Sequence, residues 1–149
     1  MQVLSWDGDT ATTMSRHNVE IVQRIYEGWL SNEPALDVLD PGIELHPDRE
    51  AWWVGVDQVY RGVAGLGEYL RTVYEAFEDY HPEIQDFLQV GDKVVTLAVE
   101  SGRGRTSGAE VKAWWTAHVW TLRDGKAVRL DLYLDRDRAL EAVGLREPA

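Results

Sequence analysis

The sequence predicts an α+β domain. In it, a curled, mixed but mainly antiparallel sheet and three to four helices form a cone with an apolar pocket. Two observations support this class. Apolar residues recur at helical spacing in much of the first half of the chain, whereas the second half alternates with the period of two that strands have. Turn signals at Gly91-Asp92 and Asp124-Gly125 join the later strands as hairpins, so the strands pair antiparallel and the helices cover one face of the sheet.

Four segments have helical features. The first begins at Arg16, with Ser15 as its cap, and ends at Asn32. Residues 34–40 predict a short second helix, because a proline suits its first turn and a proline-glycine pair closes it. A third follows, with its apolar face between Leu66 and Phe77, and a last short helix covers residues 136–143.

The strands are predicted between and after these helices. Two are short and flank a loop at residues 48–57. The other four are longer and are joined by hairpins. In chain order the predicted strands are residues 43–47, 58–62, 84–90, 93–101, 110–122 and 126–135.

Composition narrows the functional classes. The 149 residues suit one domain, which we place at residues 15–149, and residues 1–14 are expected to form a loose tail. Fifteen basic against 26 acidic residues give a net charge of −11, which disfavours nucleic acid and anionic membranes as partners. The absence of cysteine excludes disulfides and thiol catalysis. Without a targeting or membrane segment, we expect a cytoplasmic protein.

Several segments together resemble the SnoaL-like branch of the nuclear transport factor 2 superfamily, which includes polyketide cyclases and ketosteroid isomerase. They are VYRG before a helix, GDKVV, SGAEV, HVWTLRDGKAVRL and LDRDRALEAVGL. The resemblance extends over residues 16–145. It implies the cone fold but leaves the function open, because enzymes, binders and scaffolds share this fold.

The resemblance to ketosteroid isomerase also implies two candidate catalytic residues. Its phenolic donor matches Tyr26, and its general base matches His46 of the His46-Pro47 pair. A histidine can serve as a base near neutral pH. Strict alternation with Ile43 and Leu45, however, would turn His46 away from the apolar side, and Tyr26 can equally be a packing residue.

Two catalytic carboxylates of superfamily members, ketosteroid isomerase and limonene epoxide hydrolase, are replaced by apolar residues in this chain. The oxyanion-donating acid of the isomerase falls at Ala117, and the water-activating aspartate of the epoxide hydrolases falls at Leu132. Glu100 matches a second hydrolase carboxylate, but we favour a surface pair with Arg103 or Arg105 for it. Asp48 is expected to face solvent or to cap a turn.

Aromatic and aliphatic side chains are expected to line the pocket. One ring of the adjacent Trp52 and Trp53 is expected at its mouth and the other elsewhere, because two adjacent rings cannot easily both point inward. The last strand should turn one set of alternating apolar side chains inward, namely Val128, Leu130, Leu132 and Leu134. The candidate ligand-binding residues are Trp29, Trp52, Trp53, Tyr60, Trp115, Leu130 and Leu132.

The opposite face of the sheet is expected to form a homodimer interface. An amphipathic stripe there would expose apolar area in a monomer, which is costly. Its predicted members are Trp114, His118, Trp120 and Tyr133.

The sequence therefore predicts a domain that binds a small apolar or aromatic molecule. If it is an enzyme, we expect an isomerase, cyclase or dehydratase that transfers protons in a carbonyl compound without a cofactor. The alternative is a non-catalytic ligand-binding domain, or a dimeric scaffold or protein-interaction domain. No metal site is expected, because the four histidines have no metal-ligand spacing.

Overall fold

The computed structural model describes residues 2–4, 9–51, 58–105 and 110–145. In these ranges the helices are α1 Asp9–Ser31, α2 Gly62–Ala76 and α3 Arg136–Ala142, with one turn of 3-10 helix at Leu36–Val38. The strands are β1 Gln2–Leu4, β2 Leu39–His46, β3 Tyr60–Arg61, β4 Phe77–Val90, β5 Lys93–Gly104, β6 Glu110–Arg123 and β7 Lys126–Tyr133.

The described strands form one seven-stranded sheet in the order β1-β4-β5-β6-β7-β2-β3. Strands β4 to β7 pair antiparallel with their chain neighbours, and β3 pairs antiparallel with β2. Strand β2 runs parallel to β7, and β1 runs parallel to β4. The predicted α+β class with a mixed, mainly antiparallel sheet is therefore confirmed.

The Asp124-Gly125 hairpin signal and the Asp135 cap act as predicted, whereas Ser15 lies inside α1 and does not cap it. Asp124 and Gly125 both have positive φ, at 51° and 77°, which is the backbone that a two-residue turn between twisted strands requires. The Asp135 side chain accepts hydrogen bonds from the backbone N–H groups of Asp137 and Arg138 and so caps α3.

The sheet has two differently covered faces. On the inner face, α1 and α2 pack against the sheet, and the core there includes Val22, Ile25, Leu66, Phe87 and Trp120. On the outer face, α3 covers a second, smaller core. Its buried members are Leu88, Val95, Leu97, Ala117, Val119 and Ala139.

Strand β6 shows that the predicted faces were assigned in reverse. His118 and Trp120 turn to the inner face, whereas Ala117 and Val119 lie under α3. The large rings fill the wide space beneath α1 and α2. Small side chains suit the outer face, where fully buried Ala139 of α3 packs directly on the sheet.

Strand β7 keeps its predicted inner residues over part of its length. Leu130 is buried in the inner core, and Leu132 packs against it. A register shift beside Thr121 and Leu122 interrupts the alternation, so Ala127 rather than Val128 is buried at the start of the strand.

Three element boundaries also differ from the prediction. Helix α1 begins at Asp9 rather than Arg16, so part of the expected tail is helical. The predicted short helix at residues 34–40 is a single 3-10 turn, because β2 begins at Leu39 to pair with β7. Strand β4 begins at Phe77, since β5 offers it a pairing partner as far as Gly104.

Candidate functional site

A cavity of about 540 Å³ lies beneath α1 and α2 on the inner face. A second cavity of about 50 Å³ adjoins it and shares the side chains of Trp29, Leu70, Tyr80 and His118. The wall of the larger cavity is mainly apolar and aromatic. It includes Trp29, Leu66, Leu70, Tyr74, Tyr80 and Ile84. Cavities of this size and character are typical of small-molecule sites.

Polar side chains from four elements meet where the two cavities adjoin. We call this group the His118 cluster, and its members are Tyr26, Tyr80, Glu100, Thr116, His118 and Trp120. The Tyr26 hydroxyl lies 2.7 Å from His118 Nδ1, and Trp120 Nε1 donates to the same hydroxyl at 2.8 Å. All three side chains are buried.

Glu100 lies on the other side of the imidazole. One of its carboxylate oxygens is 3.6 Å from His118 Nε2, and the other accepts a hydrogen bond from the Tyr80 hydroxyl. The Thr116 hydroxyl is 3.3 Å from His118 Nε2. Glu100 is 8% exposed, so this carboxylate lies in the protein interior rather than at the surface.

The hydrogen bonds support one arrangement of protons in the cluster. Because Trp120 is a donor alone, the Tyr26 oxygen accepts from it, and the Tyr26 proton is free to go to His118 Nδ1. In this arrangement His118 carries a proton on Nε2, directed toward Glu100 and Thr116. Burial raises the pKa of the Tyr26 phenol above its ordinary range, although the Trp120 hydrogen bond acts in the opposite direction. Tyr26 therefore keeps its proton.

The strand register explains why these residues meet. His118 lies opposite Thr96 on β5 and opposite Leu132 on β7, so it occupies the middle of the sheet. Glu100 lies further along β5 beside a register shift. Helix α1 places Tyr26 and Trp29 one turn apart, and their rings meet edge to face at 5.7 Å.

Four of the predicted site residues line or adjoin the cavities. Tyr26 and Trp29 contribute to the larger cavity, and Leu130 and Leu132 contribute to the smaller one. Trp52 and Trp53 lie outside the described residues.

His46 does not meet Tyr26, so this part of the catalytic prediction is wrong. Its Nε2 lies 3.0 Å from Glu44 Oε1 on the side of β2 opposite to buried Ile43 and Leu45. The alternation of the strand holds, and it turns His46 away from the cavities.

Two predicted pocket residues have other surroundings. Trp115 is 47% exposed, and the Arg136 guanidinium lies 5.1 Å from its ring centre, because the β6 alternation points it outward. Tyr60 is buried in the inner core, where its ring packs edge to face on Tyr69 at 5.4 Å, and it does not line either cavity.

The proposed dimer stripe is also corrected. His118 and Trp120 are covered by the chain's own α1, so neither can form an outer interface. Trp114 packs against Phe77 with ring centres 5.6 Å apart, and Tyr133 packs partly against the core under α3. The homodimer itself stays a prediction.

Two carboxylates were expected near solvent but are buried. Glu100 belongs to the His118 cluster and does not form the predicted surface pair. The Asp48 side chain, 2% exposed, does cap a turn by accepting from Glu50 N, and it also binds Leu134 N and Arg138 at 2.7 Å each. It therefore ties the end of β2 to the start of α3.

The sequence contained a signal for His118 that our face assignment overrode. A threonine, a histidine and a tryptophan alternate at 116, 118 and 120 on β6, a long hairpin strand that lies mid-sheet. In a central strand a polar side chain needs a partner on whichever face it lies.

The described residues hold no group of three metal-ligating side chains suited to a metal ion. None of the helices in the described part of the chain is long and apolar enough to cross a membrane.

Several solved structures share this fold. TerC, co-crystallized with polyporic acid, is 24% identical with a TM-score of 0.67, over 85% of this chain and 97% of TerC. A protein provisionally named a SnoaL-like polyketide cyclase, from Jannaschia sp. CCS1, is 18% identical with a TM-score of 0.68, over 97% and 100% of the two chains. A hypothetical protein with a ketosteroid isomerase-like fold from Catenulispora acidiphila, in complex with trimethylamine, is 17% identical with a TM-score of 0.62, over 85% and 94%.

Because these proteins are less than 25% identical to this chain, their structural similarity establishes the fold and not the function. No functionally curated protein matches the chain at a significant level. The model of the SnoaL-like domain matches residues 22–130, which is more than half of the chain. The chain therefore belongs to the SnoaL-like domain family.

Proposed function

We propose that this chain binds a small, mainly apolar aromatic carbonyl compound and transfers a proton within it without a cofactor. The observation that carries the proposal is the buried Glu100–His118 pair. Both side chains line the smaller cavity, and His118 also lines the adjoining cavity of about 540 Å³. A carboxylate and an imidazole N–H that face one apolar space can act as a base and as an oxyanion donor.

Glu100 is the base in this proposal. Its carboxylate takes a proton from the carbon next to the ligand carbonyl, and the Tyr80 hydroxyl holds it in position. Burial removes competing water and strengthens the interactions of the carboxylate with the ligand.

His118 is the donor to the developing oxyanion. The contacts of its Nε2 with Glu100 and Thr116 are long, at 3.6 and 3.3 Å. The Nε2–H group can therefore donate its hydrogen bond to the ligand oxygen instead. Tyr26 and Trp120 fix the opposite side of the ring. Returning the proton from Glu100 to another carbon gives isomerisation. Attack of the enolate carbon on a second carbonyl of the ligand, whose oxygen takes the proton from Glu100, gives cyclisation.

Exchange of ligand protons with solvent tests this function without knowledge of the natural substrate. 2-Acetonaphthone in D₂O is incubated with the protein, and loss of its methyl proton signal is followed by NMR. We expect Glu100→Gln to slow the enzyme-dependent exchange by about 10² to 10⁴-fold. The matched control Glu83→Gln, at an exposed β4 position, should leave the exchange unchanged.

Two outcomes would contradict the catalytic proposal. If Glu100→Gln exchanges as fast as the wild type, Glu100 is not the base. If the wild type binds the ketone without exchange, the chain is a ligand-binding domain. The apolar inner side chains of Leu130 and Leu132 favour that second candidate, since no carboxylate replaces them on β7.

A homodimer and a cytoplasmic location remain predictions. Light scattering of the purified protein tests the first, and fractionation of cells tests the second.

A further inference from the structure

The charge of the cavity wall restricts which molecules can bind there. Among the described residues that line the two cavities, Glu100 is the one carboxylate, and there is no lysine or arginine. Glu100 is 8% exposed, so solvent ions screen its charge weakly.

Among the described residues, no lysine or arginine forms an ion pair with Glu100. Tyr80 donates a neutral hydroxyl to one carboxylate oxygen, and His118 Nε2 lies 3.6 Å from the other. Arg105 is engaged elsewhere, because it donates to the Tyr74 carbonyl at 2.8 Å and lies 3.5 Å from Glu78. An anionic ligand would lose its hydration and face a like charge without a partner.

An uncharged ligand meets none of these penalties. The rings of Trp29, Tyr74 and Tyr80 offer aromatic contact area, and His118 offers a donor to a neutral oxygen. At about 30 Å³ per molecule of liquid water, a volume of about 540 Å³ equals roughly 18 waters, which is enough room for a fused bicyclic ring with a substituent.

We propose that the site selects uncharged aromatic ketones and rejects the corresponding carboxylates, and that Glu100 determines this selectivity. The proposal rests on the proposed function for the carbonyl group of the ligand. It adds the charge of the substrate and a reason for that charge.

A matched pair of probes tests the selectivity. 2-Acetonaphthone and 2-naphthoate share the same ring system and have nearly the same size, but the second is anionic at about pH 8. Their affinities are measured by calorimetry in about 0.5 M salt, where the charges on the protein surface are largely screened. We expect the ketone to bind the wild type roughly tenfold or more tightly than the carboxylate.

The Glu100→Gln variant removes the charge and keeps the size of the side chain. We expect the affinity ratio to fall to within about threefold, chiefly because naphthoate binds better. Glu83→Gln should keep the wild-type ratio. Thermal melting confirms that each variant is folded.

A second variant tests the proposal without altering the His118 cluster. Leu30 is 75% exposed and lies at the cavity wall, so a lysine can be placed there at little cost in folding. We expect Leu30→Lys to improve naphthoate binding relative to the ketone by about threefold at low salt, whereas Leu30→Gln should not.

Three results would overturn the proposal. They are equal affinity of the wild type for both probes, an affinity ratio unchanged in Glu100→Gln, and failure of the ketone to bind at all. Because affinity is measured here, a selective site that does not exchange protons would disprove the proposed catalysis and leave the selectivity standing. A site that exchanges protons but binds both probes equally would disprove the selectivity and leave the proposed catalysis standing.

Discussion

The chain places two histidines beside glutamates, one pair at the surface and one in the interior. His46 Nε2 lies 3.0 Å from Glu44, whereas His118 Nε2 lies 3.6 Å from Glu100, so the surface pair has the shorter contact. The side chains of the surface pair are 26% and 35% exposed, but those of the buried pair are 10% and 11% exposed. Distance alone would therefore select the wrong pair as the site.

The surroundings explain the difference between the pairs. Glu44 also binds Arg61, and the His46 hydrogen bond, followed by this arginine, lowers the pKa of the Glu44 carboxyl. Its charge is thus balanced by Arg61, and its side chain is partly open to solvent. Glu100 has neutral donors and an apolar cavity beside it, so a ligand can become its partner.

Replacing each histidine by glutamine should give the largest contrast between the pairs. We expect His118→Gln to slow proton exchange of 2-acetonaphthone by about 10³-fold, because the oxyanion donor is lost from its fixed position. His46→Gln should change the rate by less than about twofold, because His46 contacts neither cavity. The exchange rates are measured by NMR. Equal rates in the two variants would mean that the buried and surface histidines do not differ in their role in exchange.

The buried carboxylate of Asp48 should also make the free energy of unfolding depend on pH in acid. Burial alone would raise the pKa of Asp48, but hydrogen bonds from Glu50 N, Leu134 N and Arg138 lower it below its ordinary value. We expect Asp48→Asn to lower the free energy of unfolding near pH 7 by about 3 kcal/mol, because it removes the charge that Arg138 pairs with. Urea unfolding measures this loss.

The pH dependence has a definite sign. The pKa of Asp48 is lower in the folded chain than in the unfolded chain, where it is about 3.9. Its stabilisation is therefore fully present above about pH 4 and is lost as the pH falls through the folded pKa. The stabilities of wild type and Asp48→Asn should converge in acid. The half-buried control Glu44→Gln should have a much smaller effect. Parallel curves for wild type and Asp48→Asn would refute the assignment.

The hairpin strands and the caps could be predicted from sequence because local chemistry determines them. Asp124 and Gly125 permit positive φ, and Asp135 supplies the oxygen that α3 needs at its start. The extent of β4 could not be predicted in this way. Its beginning at Phe77 depends on pairing with Gly104, which is distant in sequence.

The site was harder to predict than the fold, since it depends on which face of β6 is covered by which helix. Alternation separates His118 from Ala117 but does not say which lies inside. The packing of α3 on Ala117 and of α1 on Trp120 decides this, and both are long-range contacts. The resemblance selected Tyr26, which does line the larger cavity, whereas the same comparison selected His46, which lies on the side of β2 away from the cavities.

The smallest predicted effect concerns the hydroxyl that holds His118. Tyr26→Phe leaves Trp120 Nε1–H and His118 Nδ1 without their shared partner in the interior, so we expect a loss of about 2 kcal/mol in the free energy of unfolding. Tyr74→Phe is the matched control, because Tyr74 is 52% exposed, and its effect should stay within about 0.5 kcal/mol.

Nitrogen NMR of the His118 imidazole gives a second measurement of the same variant. His118 should carry its proton on Nε2 in the wild type and become a mixture of tautomers in Tyr26→Phe. An unchanged tautomer in the variant would mean that Glu100 and Thr116, rather than Tyr26, orient the ring.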